Sequence, residues 1–116
     1  MQHEMNLWSQ PFSMIESGEK TIELRLHDEK RQRIRVGDTI LFKNADHPEQ
    51  TLSCRVLALH YFDSFAELYA HLPLLQCGYT ASDIASARPE DMDAYYPREK
   101  QAQYGVVGIE IALLDR

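Results

Sequence analysis

The chain is short of most of what would mark an obvious function. Only two cysteines occur, Cys54 and Cys77, too few for a disulfide framework, and Cys54 falls in the middle of a strand pattern, so reduced thiols are expected. The five histidines, at 3, 27, 47, 60 and 71, share no zinc-like spacing with each other or with the cysteines. No metal or other cofactor is therefore called for. No Gly-x-Ser-x-Gly elbow is present, and the Gly18-Glu-Lys20-Thr21 run lacks the upstream glycine and the Gly-Lys adjacency of a phosphate-binding loop. No apolar run approaches the length of a membrane span, so no membrane-spanning helix is expected within these residues. The opening Met-Gln-His-Glu-Met-Asn has no basic-then-apolar character, so a cytoplasmic location is expected.

An excess of positive charge is missing too. The net charge of −6 argues against a protein that coats nucleic acid non-specifically. Its distribution is uneven: between Lys20 and Arg35 six basic residues face three acids, a local balance of +3, and the remainder carries −9. Such asymmetry suits contact with an anionic partner on one small patch, although a plain charged loop would give the same count.

What is present is enough for one core. With 116 residues and 44% hydrophobic content, a single domain over 1–116 is expected without metal or disulfide support. Its centre of interest is Glu16-Ser-Gly-Glu-Lys-Thr-Ile-Glu-Leu-Arg25. Gly18 suits the left-handed residue that closes the helix implied by Pro11-Phe-Ser-Met-Ile-Glu-Ser17, with Phe12 and Ile15 inward. Alternation from Thr21 to Leu26 then predicts a strand with Ile22, Leu24 and Leu26 on a core and Thr21, Glu23 and Arg25 on the other face. Glu23 and Arg25, about 6–7 Å apart at that rise, can serve one ligand or pair with each other. A wet sheet face would look the same.

Further on, His27 to Arg33 reads as a solvated, mobile loop or hairpin end, and Thr39 to Lys43 as a second strand after the Gly37-Asp38 turn. Leu52 to Tyr61 is the longest strand, with Leu52, Cys54, Val56 and Ala58 on one face and Arg55, Leu57, Leu59 and Tyr61 on the other. Ser64-Phe-Ala-Glu67 is a capping box for a helix ended by Pro73. Short helices are expected from Thr80, from Pro89 and after Pro97, and Tyr104 to Leu113 returns as a strand with Val107, Ile109, Ile111 and Leu113 inward. Gly105 and Gly108 there suggest a bulge or a close approach. Three strands, a helical run and a last strand make an α+β fold, economically a small mixed β-barrel with helices packed on one side, although an open α+β sheet fits the same pattern.

Gly18-x-Lys20-x-x-Glu23-x-Arg25 resembles the signature of the activating signal cointegrator homology, or ASCH, family, related in fold to PUA RNA-binding domains. The resemblance continues through Val36-Gly-Asp-Thr-Ile-Leu-Phe42 and ends at Tyr104-Gly-Val-Val-Gly-Ile-Glu-Ile111, covering nearly the whole chain. It implies a barrel, a cleft lined by the motif residues, and RNA, nucleotide or modified nucleoside as partner.

Within that cleft Lys20 and Arg25 would hold phosphate or a base carbonyl, with Thr21 beside them, and Glu23 would accept from a base amino group. Trp8, Tyr95, Tyr96 and Tyr104 are candidates for stacking, although a lone tryptophan more often anchors a core. As an enzyme, the site would use Lys20 as base or nucleophile and Glu23 as proton shuttle. A branch of small ASCH proteins hydrolyses the acetyl amide of N4-acetylcytidine, and others have been regarded as ribonucleases. In the first branch a threonine stands where this chain has Glu23, and its further carboxylate could correspond to Asp83, Glu90 or Glu99. A protein-interaction role for the acidic Asp83 to Glu99 side is a third reading.

Overall fold

The computed structural model describes residues 1–114. Five strands form one sheet in the order β1-β3-β4-β5-β2, where β1 is Gln2–Leu7, β2 Ile22–Leu26, β3 Thr39–Asn44, β4 Thr51–Phe62 and β5 Val106–Leu113. Only β1 and β3 run parallel; the other three pairings are antiparallel. The sheet curls into a half-barrel, an α+β fold with helices α2 (Phe65–His71) and α3 (Arg98–Tyr104) and the turns between them covering one side. Helix α1 (Ser9–Ser17) leads from β1 towards β2 and contributes Phe12 and Ile15 to the inner core.

Local chemistry explains the elements. Gly18 closes α1 at φ 86°, the left-handed region, and its N–H donates to the Ile15 carbonyl. Ser64 accepts from the Glu67 N–H at 3.2 Å and starts α2. The amino terminus forms a full strand, β1, because Met5 and Leu7 alternate into the core beside Ile40 and Phe42.

The curl creates two apolar layers. Met5, Phe12, Ile40, Phe42, Leu52, Val56 and Ile109 fill the inner one, and Ile22, Leu24, Leu26, Val106, Phe65 and Leu68 form the outer one under α2. Gly108 lies at the contact with this cover: an added Cβ would stand 2.6 Å from Leu72 Cδ1. The missing side chain is what lets Leu72 rest on β5.

Several expectations change. His27 to Arg33 is no hairpin end, since β2 pairs with β5 and never with β3. Instead Asp28 accepts from the Arg31 N–H, and residues Arg31–Arg33 form a 3-10 turn that delivers Ile34 to the core. In β4 the facing pattern reverses at a bulge between Val56 and Ala58: Leu57 is extruded and Leu59 replaces Ala58 on the inner face. Leu113 is 40% exposed, at the end of β5 where the core has run out. The segments Ile84–Ser86 and Pro89–Ala94 are 3-10 turns, and Tyr104 ends α3 instead of starting the last strand. Both cysteines are free and buried.

Candidate ligand cleft at the open seam

Strands β1 and β2 are the two edges of the sheet, and the seam between them is where the barrel fails to close. Register places Glu23 opposite Ile109 and Arg25 opposite Val107. Directly opposed residues share a face, so both charged side chains project to the inner side, the side of the apolar core. This corrects the picture of a solvated strand face: β2 is covered on both sides, and Glu23 is only 3% exposed.

A carboxylate at that depth needs partners, and it has two. Lys20 Nζ lies 2.7 Å from Glu23 Oε1, and Arg25 Nε donates to Glu23 Oε2 at 2.7 Å. Burial by itself pushes the Glu23 carboxyl up, but Lys20 and then Arg25 together outweigh it and hold the group at about 2. On Arg25 burial likewise opposes the charge, and Glu23 wins, raising its pKa above the ordinary value. Arg25 also reaches across the seam, its Nη2 donating to the Asn6 carbonyl of β1 at 2.8 Å.

This network lies on the floor of a cleft of about 940 Å³. One wall is the junction of β1 and α1, with Asn6, Trp8 and Pro11, and the other comes from residues 77–96. Trp8 is 61% exposed on the rim, which removes it from the core role expected of a lone tryptophan. The α1 stripe of Phe12 and Ile15 already fills the core at this point. Tyr95 is exposed and Tyr96 half-buried on the opposite side.

Of the residues singled out in the sequence, Lys20, Glu23, Arg25, Trp8 and Tyr96 line one cleft. Thr21 and Tyr104 do not. The Thr21 hydroxyl donates to the Gln76 side chain at 3.3 Å, and Tyr104 lies beside a separate, smaller cavity with His27 and Tyr61, its hydroxyl directed to Glu29. Asp83 borders the cleft; Glu90 pairs with Arg88 on the surface, and Glu99 does not line the cleft.

Sequence reasoning missed the far wall. Tyr69 on α2, Tyr79 and Asp91 line the same cleft and form a hydrogen-bond chain, with 2.7 Å between the two hydroxyls and 2.7 Å from Tyr79 to Asp91 Oδ2. These residues stand 10 and 12 positions apart, on α2, in the connection after it and in the 3-10 turn Pro89–Ala94, and no periodicity links them. Beside the lysine, Gly78 at φ 114° passes so close that a Cβ there would touch Lys20 Cδ at 3.5 Å. Among the described residues no group of three or more His, Cys, Asp or Glu could hold a metal ion, and no helix is long and apolar enough to cross a membrane.

A mixed half-barrel whose unclosed seam carries a buried Lys-Glu-Arg network under an open cleft defines a class of small α+β half-barrel domains. The family model for the ASCH domain matches residues 5–115, and the chain belongs to that family. Solved structures agree. The hypothetical protein PH0355 is 30% identical, with a TM-score of 0.81 over 98% of this chain and 100% of that one. Protein PF0455 from Pyrococcus furiosus is 33% identical, with a TM-score of 0.76 over the full length of both. ASCH from Zymomonas mobilis shares the fold at 14% identity, with a TM-score of 0.60 over 98% of this chain and 67% of that one. No curated protein matches the chain.

Proposed function

We propose that this ASCH domain binds RNA or a single nucleotide, modified nucleosides included, in the cleft around Lys20, Glu23 and Arg25. The observation that carries the reading is the pairing of a buried Lys-Glu-Arg floor with an exposed aromatic rim in a cleft of about 940 Å³. Cavities of this size accept ligands on the scale of a nucleotide. Trp8 and Tyr95 offer flat faces for a base, while Lys20 and Arg25 keep N–H groups beyond those spent on Glu23. The basic run Lys30 to Arg35 follows β2 directly and would meet the phosphates of a longer strand.

The state of Glu23 favours binding over proton transfer. A carboxyl held at about 2 remains ionised near neutrality and is a feeble base, far from the matched pKa that general acid–base work requires. A second reading, hydrolysis of an acylated cytidine with Lys20 as the reactive amine, rests on the lysine side chain being buried yet bordering the cleft.

Trp8 is the only tryptophan, so its fluorescence reports on the cleft. Titration with nucleoside monophosphates and short single-stranded RNA should quench it, with affinity for RNA falling ~0.7 log units per phosphate contact for each decade of salt. No quenching together with no shift in melting temperature refutes the binding site. Release of cytidine from N4-acetylcytidine, absent in Lys20→Ala, selects the hydrolase.

A further inference from the structure

The chain Tyr69–Tyr79–Asp91 has a defined direction. Tyr79 carries one hydroxyl proton and donates it to Asp91 Oδ2, which as a carboxylate can only accept. The contact between the two tyrosines therefore uses the Tyr69 proton, with Tyr79 oxygen as acceptor. Asp91 is kept ionised, first by the Tyr79 hydroxyl and then by the Arg88 N–H. Both hydroxyl protons are thus consumed inside the wall, and the groups left on the cleft side are lone pairs of Tyr69 and of the Asp91 carboxylate. Lys20 and Arg25, which are donors only, line the same cleft with Glu23 already paired to both. The stretch of wall made by Tyr69, Tyr79 and Asp91 presents acceptors to that cleft.

From this juxtaposition we infer that the Tyr69–Tyr79–Asp91 wall selects for a base carrying an exocyclic amino group and against its keto counterpart. The inference deepens the nucleotide-binding reading and rests on it. An amino group donates to the wall, whereas a carbonyl oxygen at the same place meets lone pairs and leaves both sides unpaired. Rejection through unpaired polar groups is the stronger form of discrimination available to a site. The same chain would also serve merely to fasten α2 to the turn at Asp91, and the two roles separate experimentally.

The test is a Trp8 fluorescence titration with AMP, IMP, CMP and UMP, each pair differing in an amino or keto group. In the unaltered protein the amino member of each pair should bind about tenfold more tightly than its keto partner, the worth of one hydrogen bond with its unpaired penalty. Asp91→Asn keeps an oxygen at the place where Oδ2 accepts both from Tyr79 and from the Arg88 N–H, because an amide nitrogen there would meet the Arg88 donor. The direction of the chain, and with it the preference for AMP and CMP, should survive that change. Tyr69→Phe removes the group and should bring the members of each pair within about twofold. If all four nucleotides bind the unaltered protein equally, the wall has no selective role although the cleft reading stands. Unchanged ratios in Tyr69→Phe reduce the chain to a fastener, and a preference reversed in Asp91→Asn would overturn the assigned direction. If none of the four quenches the fluorescence or shifts the melting temperature, both this inference and the reading beneath it fall.

Discussion

Arg25 on one edge strand donates to the carbonyl of Asn6 on the other, so a single guanidinium spans the seam where the barrel does not close. The same side chain is one of the two cations on Glu23. Its fork geometry lets it do both, one nitrogen on the carboxylate and another on the backbone, which a lysine at that position cannot reproduce.

Replacing Arg25 with alanine should therefore cost more than a surface charge. It removes a partner from a buried carboxylate and leaves the Asn6 carbonyl without its donor, a loss of about 3 kcal/mol by analogy with other broken buried pairs. Arg25→Lys should recover part of this, because charge returns without the second bond. Urea denaturation of the three proteins measures the series, and equal midpoints for Arg25→Lys and the parent would show that the bridge to Asn6 contributes nothing.

Acid should unfold the protein in part through Glu23. Its pKa lies below the unfolded value, so the unfolded chain takes up protons before the folded one as pH falls. Stability from this group is complete above about 4.5 and is lost as the pH drops towards about 2. At ~1.4 kcal/mol per unit, the buried group accounts for about 3 kcal/mol over that window. Asp38 is also held at about 2, chiefly by the His3 ring and then by the Arg35 N–H, and contributes to the slope in the same range. Glu23→Gln should be less stable at neutral pH and show a shallower acid slope that retains the Asp38 share. An unchanged slope in Glu23→Gln would mean that the carboxyl is not depressed.

Gly108 tests the cover over the outer layer. A methyl there meets Leu72 Cδ1 at 2.6 Å and Ile22 Cγ2 at 3.3 Å, but the leucine tip can move. Gly108→Ala should destabilise by about 1–2 kcal/mol, the usual range for overpacking, and by less in a Leu72→Ala background. Additive effects in that double-variant cycle would place the strain elsewhere on β5.

What could be read from residue order was what local chemistry decides. Gly18 at a helix end, the Ser64 cap and the alternation Ile22, Leu24, Leu26 all act within a few residues, and each is found where the pattern put it. The β-barrel character and the family were legible for the same reason, through motifs that carry their own turns. The burial of Glu23 and Arg25 was not, because charges alternating with leucines look alike whether water or counter-charges satisfy them. The extrusion of Leu57 was hidden in a run apolar on both faces, where shifting the register by one position costs little that a sequence can display. The far wall of the cleft depended on how Tyr69, Tyr79 and Asp91 meet across a connection of 3-10 turns, which only the packing onto α2 determines.

Trp8 separates binding from stability most cleanly. It is 61% exposed, belongs to neither apolar layer, and its carbonyl accepts from Phe12 N–H to open α1, a bond that survives any change of side chain. Trp8→Ala should thus leave the denaturation midpoint within about 0.5 kcal/mol of the parent, as for other surface substitutions. Loss of a stacked base should weaken nucleotide affinity by ~1–3 kcal/mol, roughly 5- to 150-fold, measured calorimetrically because the fluorophore is gone. Trp8→Phe keeps a ring at the rim and should recover much of the affinity. If Trp8→Ala binds as tightly as the parent, the base lies on the Tyr95 and Tyr96 side of the cleft, and the matching variants there should carry the loss instead.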